Sequence, residues 1–404
     1  GNLKVKLTGD KEICADLVLL SIGVAPDSRL AKDAGLELGV GGSIKVSDTL
    51  QTSDPDIYAV GDAVCVRQLV TGGDTLIPLA GPANRQGRLA GENVLGRTEK
   101  DSGVQGSSIL KVFEMTAAST GMNEKQLKAQ KIPYQKTYIH PADHAPYYPD
   151  SSQMSMKLLF APDGKILGAQ AVGFDGVDKR MDVLATALRL GGTVYDLEKL
   201  ELCYAPPYSS AKDPVNMLGF TAANILRGDV KVFHFDEVDA LDREKISLVD
   251  VRTPVEMQMG TIEGAIGIPL DVLRDRMQEL PKEKPVYLFC QVGLRGYVAA
   301  RILMQNGYDV KNLSGGYKTY ITAKGDREQP TGTDCIGCKK EAAEPVKSAC
   351  CQDVKMIEVD ACGLQCPGPI MKVSEGIKSI RDGECLQVRA TDPAFASDIR
   401  VWCE

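Results

Sequence analysis

The sequence predicts a multidomain α/β protein, and three observations lead to this prediction. The chain has 404 residues, which is more than one ordinary domain contains. Residues 15–23 form an apolar run without alternation, which is typical of a strand that is covered on both faces. Between residues 230 and 325, shorter apolar runs alternate with helix-like segments, as in a small parallel sheet. We therefore expect several compact domains.

Composition and charge restrict the classes of function. The charged fraction of 25% and the hydrophobic fraction of 43% are those of a globular protein, and no apolar run is long enough to predict a membrane span. The formal net charge of −7 argues against nucleic acid as a main partner. Twelve cysteines without a visible signal peptide lead us to expect a cytoplasmic protein with reduced thiols. With only three histidines the chain offers few imidazole ligands for a metal site, and we assign no metal ligand.

The first 106 residues have the pattern of a nucleotide-binding fold. We predict strands at residues 15–23 and 56–62 and a helix at residues 82–95. Asp62 ends the second strand directly after Gly61, where a carboxylate either holds a sugar or ribityl hydroxyl or only completes a turn. Because the chain starts in the middle of a strand pattern, we expect a fragment of a longer protein.

Residues 107–228 are expected to form an α+β domain. Alternating apolar runs flank a Pro-Asp-Gly turn, and two helical patterns follow. Asp213 is the expected N-cap of the last helix, with Pro214 at its first position. The predicted elements are strands at 155–160 and 165–172 and helices at 178–190 and 214–226.

Residues 229–328 contain the most informative loop of the chain. Cys290 directly follows a predicted strand, and four residues, Gln291, Val292, Gly293 and Leu294, separate it from Arg295. Successive backbone N–H groups of such a loop, up to Gly296, point at the sulfur, and a nearby guanidinium lowers the pKa of a thiol. The loop therefore predicts a nucleophilic cysteine. The predicted elements around it are strands at 247–251, 285–289 and 310–313 and a helix at 295–306.

The C-terminal part of the chain holds further cysteines. Residues 329–354 are expected to be a polar linker, and residues 355–404 a small last domain. Cys366 precedes a proline at a predicted helix start, where free N–H groups favour a thiolate. For the linker cysteines, a zinc site, a thiol relay and unconstrained thiols remain alternatives. These are Cys335, Cys338, Cys350 and Cys351.

Three segments near the N-terminus resemble the pyridine nucleotide–disulfide oxidoreductases: residues 15–26, 52–63 and 77–88. The resemblance implies a partial three-layer domain that binds FAD and NAD(P)H, with residues 1–43 from the NAD(P) part and 44–106 from the FAD part. It implies that Asp62 binds the ribityl chain and that a helix N-terminus lies beneath the flavin. No G-x-G-x-x-G stretch occurs in the chain. The residues assigned to the cofactor are Gly23, Gly61, Asp62, Pro78, Leu79, Ala80, Asn84 and Arg85.

Residues 204–214 narrow this resemblance to the coenzyme A–disulfide reductase and NADH-dependent persulfide reductase branch. The branch implies a homodimer formed through residues 107–228, in which tyrosines reach the partner's active site. Such a phenol either donates a proton to a thiolate product or only packs. The redox cysteine of the branch lies in a part that this chain lacks, so Cys14, Cys65 and Cys203 are expected to be buried apolar residues. The tyrosine candidates are Tyr147, Tyr148, Tyr204 and Tyr208.

The segments around Cys290 resemble a single rhodanese domain. The matching stretches are residues 248–256, 260–269, 290–295 and 313–317. The resemblance implies that Cys290 carries a persulfide held by the loop amides and Arg295. Asp250, Arg252 and Glu256 are expected to form structural ion pairs, and Thr261 stands where many members carry histidine. The related cysteine phosphatases need a loop one residue longer, which disfavours phosphatase activity.

Residues 360–372 resemble the TusA/SirA-like sulfur carriers, a small two-layer α+β fold. The resemblance implies that Cys366 carries a persulfide, and Cys362 either resolves this persulfide or is incidental. Together the resemblances imply FAD- and NAD(P)H-dependent reduction of a small thiol persulfide, a polysulfide or coenzyme A disulfide, coupled to sulfur transfer through Cys290 and Cys366. The alternative is a non-reducing sulfur relay, in which the flavin-type domain only dimerises and the carrier domain docks on sulfur-acceptor proteins.

Overall fold

The computed structural model describes residues 3–9, 11–325, 356–362, 364, 368–381, 385–390, 395 and 399. The described part of the chain divides into two compact units, one within residues 3–104 and one from residue 105 onward. Each unit combines helices with strands, which confirms the predicted multidomain α/β class. Among these described residues, no helix has both the length and the apolar character needed to cross a bilayer.

The first unit contains short elements around a small apolar cluster. Its core is formed by Val64, Val66 and Val104. The predicted helix at 82–95 is confirmed as α2. The elements are β1 (Leu3–Lys6), β2 (Glu12–Ala15), α1 (Arg29–Asp33), β3 (Val66–Arg67), β4 (Asp74–Thr75) and α2 (Ala80–Val94), with β1 antiparallel to β2 and β3 antiparallel to β4.

Two strand predictions in this unit are wrong. The apolar run at 15–23 leaves the sheet at Ala15, and Leu19 and Ile22 are 84% and 86% exposed. At 56–62 the chain makes only one isolated bridge, between Tyr58 and Gln51. An apolar run becomes a buried strand only when neighbouring strands pair with it. No other strand among the described residues pairs with either segment.

The second unit begins with a five-stranded antiparallel sheet, in the order β5-β6-β9-β8-β7. The predictions of two strands and two helices in residues 155–226 are confirmed, and Asp213 caps the last helix by accepting the N–H of Val215 at 2.9 Å. The elements are β5 (Ser108–Val112), β6 (Met115–Gly121), α3 (Glu124–Ala129), β7 (Gln135–Ile139), β8 (Ser155–Phe160), β9 (Ile166–Gly173), α4 (Val177–Arg189), α5 (Val194–Leu197) and α6 (Pro214–Leu226).

A five-stranded parallel sheet follows, in the order β10-β14-β13-β11-β12. Apolar clusters cover both of its faces, which explains why its strands are continuous apolar runs. The predicted strands and helix are confirmed. The elements are β10 (Lys231–Phe233), β11 (Ser247–Asp250), α7 (Pro254–Gln258), β12 (Ile266–Gly267), α8 (Leu273–Arg276), β13 (Val286–Phe289), α9 (Leu294–Gln305), β14 (Val310–Leu313) and α10 (Gly316–Lys324).

The last elements form a parallel strand pair with a crossover helix. They are β15 (Met356–Asp360), α11 (Gly368–Ile377) and β16 (Cys385–Arg389). The helix packs Ile370 and Val373 against the strand pair. Cys366 and the linker cysteines Cys335, Cys338, Cys350 and Cys351 lie outside the described residues.

We predict that Gly168→Ala destabilises the antiparallel sheet. A Cβ at Gly168 in β9 would collide with the backbone of Met122. Overpacking of this kind costs about 1–3 kcal/mol, so urea denaturation should show a lower free energy of unfolding. Gln170→Ala is the matched control, because Gln170 is exposed on the same strand. Equal stability of Gly168→Ala and wild type would contradict the packing of β9 against Met122.

Candidate functional site

Cys290 lies at the carboxyl end of β13, in the middle of the parallel sheet. Its side chain is buried, and its Sγ accepts a hydrogen bond from the backbone N–H of Gly293 at 3.1 Å. Gly293 has a φ of +104° and is the N-cap of α9. The positive end of this twelve-residue helix therefore faces the sulfur, which favours an anion there.

The first turn of α10 holds the loop from the other side. The N–H of Tyr317 donates to the carbonyl of Cys290 at 2.8 Å, and the N–H of Lys318 donates to the carbonyl of Gln291 at 2.9 Å. Gly316 has a φ of +64°, and a Cβ there would collide with the Cys290 carbonyl. The close approach of α10 to the loop therefore requires glycine at this position.

The guanidinium of Arg295 does not stand alone beside the sulfur. Its Nη1 and Nη2 donate to the two carboxylate oxygens of Glu256 at 2.7 and 2.5 Å. Burial raises the pKa of Glu256, but the hydrogen bonds from Arg295 and Thr253 outweigh burial and hold that pKa below its ordinary value. Glu256 also accepts the N–H of Thr253 at 2.9 Å. The sequence predicted contact with a persulfide for Arg295, and the structure adds a carboxylate partner 39 residues away.

A second guanidinium reaches the loop. Arg252 is buried and pairs with Asp250 through its Nη2 at 2.7 Å, which confirms the predicted ion pair. Its Nη1 donates to Oε1 of Gln291 at 3.1 Å, and its guanidinium lies 4.1 Å from the ring centroid of Tyr317. Thr261 donates to Asp250 at 2.7 Å. From the sequence we expected Arg252 only to form an ion pair at the end of β11. The Asp-x-Arg pattern there does not indicate its contact with Gln291.

The remaining loop positions line or support this site. Leu294 is exposed, while Gln291, Val292 and Gly293 are partly buried. Gly296 is buried where a Cβ would collide with the side chain of Asn312. Nδ2 of Asn312 in turn donates to the Gly293 carbonyl at 3.1 Å.

The candidate tyrosines lie on two neighbouring loops of the second unit. The hydroxyls of Tyr147 and Tyr204 are 3.5 Å apart, and this hydrogen bond raises the pKa of Tyr147. Tyr148 and Tyr208 are exposed as well. The structure brings Tyr147 and Tyr204 together, and the ring of Tyr148 lies edge-on to His144 with the centroids 6.0 Å apart.

Two polar residues that sequence reasoning missed hold these loops. Arg180 of α4 is buried, and its Nη2 donates to the carbonyl of Asp143 at 2.6 Å and to Oδ2 of Asp213 at 3.1 Å. His144 lies between Oδ2 of Asp143, 2.7 Å from its Nδ1, and the carbonyl of Pro149, 2.9 Å from its Nε2. A single arginine in a helical pattern and a histidine in a turn do not predict such contacts.

The residues assigned to the flavin belong to the first unit. The N–H of Gly61 donates to Oε1 of Gln86 at 2.9 Å, so the segment that carries Asp62 lies against α2. Asp62 is exposed, and Gly23 has a φ of +89° with open space around it. Arg85 donates to the carbonyl of Gly103 at 2.8 Å. The N-terminus of α2 has no side-chain cap. The remaining residues that the sequence assigned to the cofactor lie at this end of the helix: Pro78, Leu79, Ala80 and Asn84.

The other described cysteines differ in exposure. Cys65 is buried as expected, but Cys14 and Cys203 are exposed, so the expectation of burial was wrong for those two. Cys14 lies on a two-stranded hairpin and Cys203 in a loop, and among the described residues no other element of the same unit covers either thiol. Cys362 is exposed, and its hydrogen bond to Asp360 raises the pKa of its thiol. In the described part of the chain, no cluster of metal-ligating side chains occurs.

Four family models match the chain in succession. Residues 1–87 match the pyridine nucleotide-disulphide oxidoreductase model, and residues 107–214 match the dimerisation domain of the same proteins. Residues 236–323 match the rhodanese-like domain. Residues 357–404 match the sulfurtransferase TusA.

Individual relatives agree with these matches. An NADH oxidase of Methanocaldococcus jannaschii is 36% identical over 202 residues, covering 50% of this chain and 45% of its own length. A coenzyme A disulfide reductase of Staphylococcus epidermidis is 35% identical over 221 residues, covering 54% of this chain and 50% of its own length. The chain thus spans about half the length of these curated relatives.

Two solved structures extend the similarity into the parallel sheet. The structure of reduced Bacillus anthracis CoADR-RHD is 53% identical with a TM-score of 0.77, and the match covers 79% of this chain and 58% of that one. A NAD-dependent persulfide reductase from A. fulgidus is 39% identical with a TM-score of 0.71, and the match covers 78% and 57% of the two chains.

We predict that His144 alone among the three histidines titrates above the ordinary value. Both of its ring nitrogens face acceptors, which only an imidazolium satisfies. Burial lowers the pKa of His144, but the bonds to Asp143 and Pro149 outweigh burial and raise it. Burial lowers the pKa of His140 to about 3 and that of His234 to about 4.

Ring-proton NMR shifts followed against pH test this prediction, with His144→Gln to assign the resonance. The stabilisation from His144 should be complete below the pKa of the unfolded state and be lost as the pH rises through the folded-state pKa. Two or three histidines titrating together near neutral pH would contradict the hydrogen-bond arrangement around His144.

Proposed function

Because the chain carries parts of a pyridine nucleotide-disulphide oxidoreductase, its dimerisation domain, a rhodanese-like domain and a TusA domain, we propose that it works in sulfane-sulfur reduction and transfer. The reaction is FAD- and NAD(P)H-dependent reduction of a small thiol persulfide, a polysulfide or coenzyme A disulfide. It is coupled to sulfur transfer through Cys290 and Cys366.

The observation that carries the proposal is the contact between Sγ of Cys290 and the N–H of Gly293 at the start of α9. A buried sulfur anion needs a donor that is already in place, and this turn supplies the Gly293 N–H from the backbone. A persulfide extends the sulfur by one atom toward the same helix end. The loop therefore favours an anionic sulfur chain on Cys290.

The transfer requires no external oxidant. The Cys290 thiolate attacks the outer sulfur of the donor, and the donor's sulfur–sulfur bond breaks with its electron pair leaving on sulfite or a thiolate. An acceptor thiolate or cyanide then attacks the outer sulfur of the Cys290 persulfide and releases the Cys290 thiolate. Arg295 and Glu256 stay paired during both steps, so the positive charge next to the sulfur is partly compensated.

The described residues of the first unit fit part of a flavin site. Asp62 would hold the ribityl hydroxyls, and the uncapped N-terminus of α2 after Leu79 would face the flavin edge. Bound FAD would supply the two-electron reduction of the sulfur substrate.

The tyrosine pair would act in the reductive half of the reaction. Tyr147 and Tyr204 present their hydroxyls next to each other at the surface, held by Arg180 beneath them. In a homodimer formed through residues 107–228, this surface would face the partner's flavin. A phenol there would donate a proton to the departing thiolate, while its neighbour holds it in place.

Partners follow from the same assignment. The hairpin of β5 and β6 exposes apolar side chains, with Phe113 at its tip 92% exposed, which supports burial in a homodimer. The carrier domain with Cys366 would pass sulfur to or from acceptor proteins. Reduced thiols are required throughout, so we place the protein in the cytoplasm.

The alternative proposal is a sulfur relay without reduction. It is favoured by the first unit, whose described residues form only two short hairpins and two helices. A chain that includes the flavin half separates the two proposals when NADH oxidation is followed with coenzyme A persulfide. NADH oxidation that depends on the persulfide supports the reductase. Sulfur transfer without NADH oxidation supports the non-reducing relay.

We predict that Cys290→Ala lowers thiosulfate-to-cyanide sulfur transfer by the chain at least about a hundredfold, because the nucleophile is lost. Thiocyanate formation measures the rate. Cys14→Ala is the matched control, since Cys14 is an exposed thiol in the other unit, and it should retain the wild-type rate. Undiminished thiocyanate formation by Cys290→Ala would show that Cys290 is not the nucleophile of sulfur transfer.

A further inference from the structure

Helix α10 is in contact with two domains at once. Its first turn binds the carbonyls of Cys290 and Gln291, as described above. Its opposite side contacts the antiparallel sheet of the same unit. There Thr319 of α10 lies 2.7 Å from Nε2 of His140, measured from its Oγ1. His140 directly follows β7, so one side chain of the dimerisation domain touches the helix that holds the cysteine loop.

One arrangement of protons satisfies these contacts of His140 and Thr319 together. In it the hydroxyl of Thr319 donates to the carbonyl of Gly315 at 3.0 Å and accepts from Nε2 of His140. Nδ1 of His140 then accepts from the hydroxyl of Ser155 on β8, at 2.8 Å. Burial and the charge of Lys318 lower the pKa of His140 to about 3, which keeps the imidazole neutral at neutral pH.

A second contact fixes the start of the same helix. The N–H of Tyr138 in β7 donates to Oγ of Ser314 at 3.0 Å, and the N–H of Ser314 donates to the carbonyl of Phe233 in β10. Ser314 directly precedes Gly315 and Gly316, whose positive φ angles of +73° and +64° bring α10 against the Cys290 carbonyl. The edge strand of one sheet thus anchors the turn that closes the cysteine loop.

We propose that His140 is a positioning residue for sulfur transfer at Cys290, acting through Thr319 and helix α10. The inference rests on the proposed sulfurtransferase function and assigns part of its geometry to the dimerisation domain. When His140 holds Thr319, the first turn of α10 keeps the carbonyls of Cys290 and Gln291 in place. The Gly293 N–H then stays directed at the sulfur. Without this contact the loop relaxes and the sulfur anion loses this donor.

The test uses the full chain with four variants. His140→Ala removes the donor to Thr319, and His140→Gln keeps an amide donor of similar reach. Thr319→Val keeps the shape of the side chain and removes its hydroxyl. Thr221→Val is the matched control, because Thr221 makes the same kind of bond to its own helix, to the Met217 carbonyl at 3.0 Å, in α6 away from the loop.

Two quantities are measured for each variant. The first is the rate of iodoacetamide alkylation of the Cys290 peptide against pH, followed by mass spectrometry. The second is kcat/KM for transfer of sulfur from thiosulfate to cyanide. His140→Ala and Thr319→Val should lower kcat/KM about tenfold, the effect of one lost hydrogen bond, and move the alkylation profile to higher pH. His140→Gln should recover most of the rate, and Thr221→Val should match wild type.

A shifted alkylation profile distinguishes positioning from general destabilisation, because a folded but merely less stable protein keeps the wild-type profile. If His140→Ala keeps both the wild-type profile and the wild-type kcat/KM, the inference is wrong while the proposed function stands. If His140→Gln is as impaired as His140→Ala, the donor role of His140 is wrong. If the wild-type chain transfers no sulfur, the proposed function fails, and the alkylation profile still tests the contact.

Discussion

The turn from β13 into α9 is the constraint on which the rest of the site depends. It places Sγ of Cys290 inside the protein and directs the Gly293 N–H at it from the start of a helix. A buried sulfur anion is costly unless donors already surround it. The neighbouring interactions keep this turn in shape: α10 binds the loop carbonyls, and Asn312 binds the Gly293 carbonyl. Function at this site therefore follows from backbone geometry that side chains maintain.

Charges around the two candidate sites occur in pairs. Arg252 with Asp250 and Arg295 with Glu256 flank the cysteine loop, and Arg180 with Asp213 lies beneath the tyrosine loops. The pairs of Arg252 and Arg180 are buried, and removing one member of either leaves an uncompensated buried charge, which costs on the order of 3–5 kcal/mol. These arginines therefore hold the cysteine loop and the tyrosine loops in place. The Gly293 N–H at the start of α9 adds the effect of peptide dipoles at the sulfur, which needs no counter-ion.

Local patterns predicted much of the fold, and non-local contacts account for what they missed. The helix α2 and the strands β8 and β9 were predicted from periodicity and turn residues, because these signals lie within a few residues of one another in the sequence. Residues 15–23 failed because burial of a strand depends on neighbours distant in sequence. The loop around Cys290 was predictable from its length. The contact of His140 with Thr319 joins residues 179 apart and leaves no local pattern.

The mass of the peptide that contains Cys290 shows whether the loop around it stabilises a persulfide, once the full chain has been incubated with thiosulfate and digested without reductant. We expect this peptide to gain one sulfur atom and to lose it on brief treatment with cyanide. A peptide of unchanged mass, with the added sulfur found only on other cysteines, would mean that the loop does not stabilise a persulfide on Cys290.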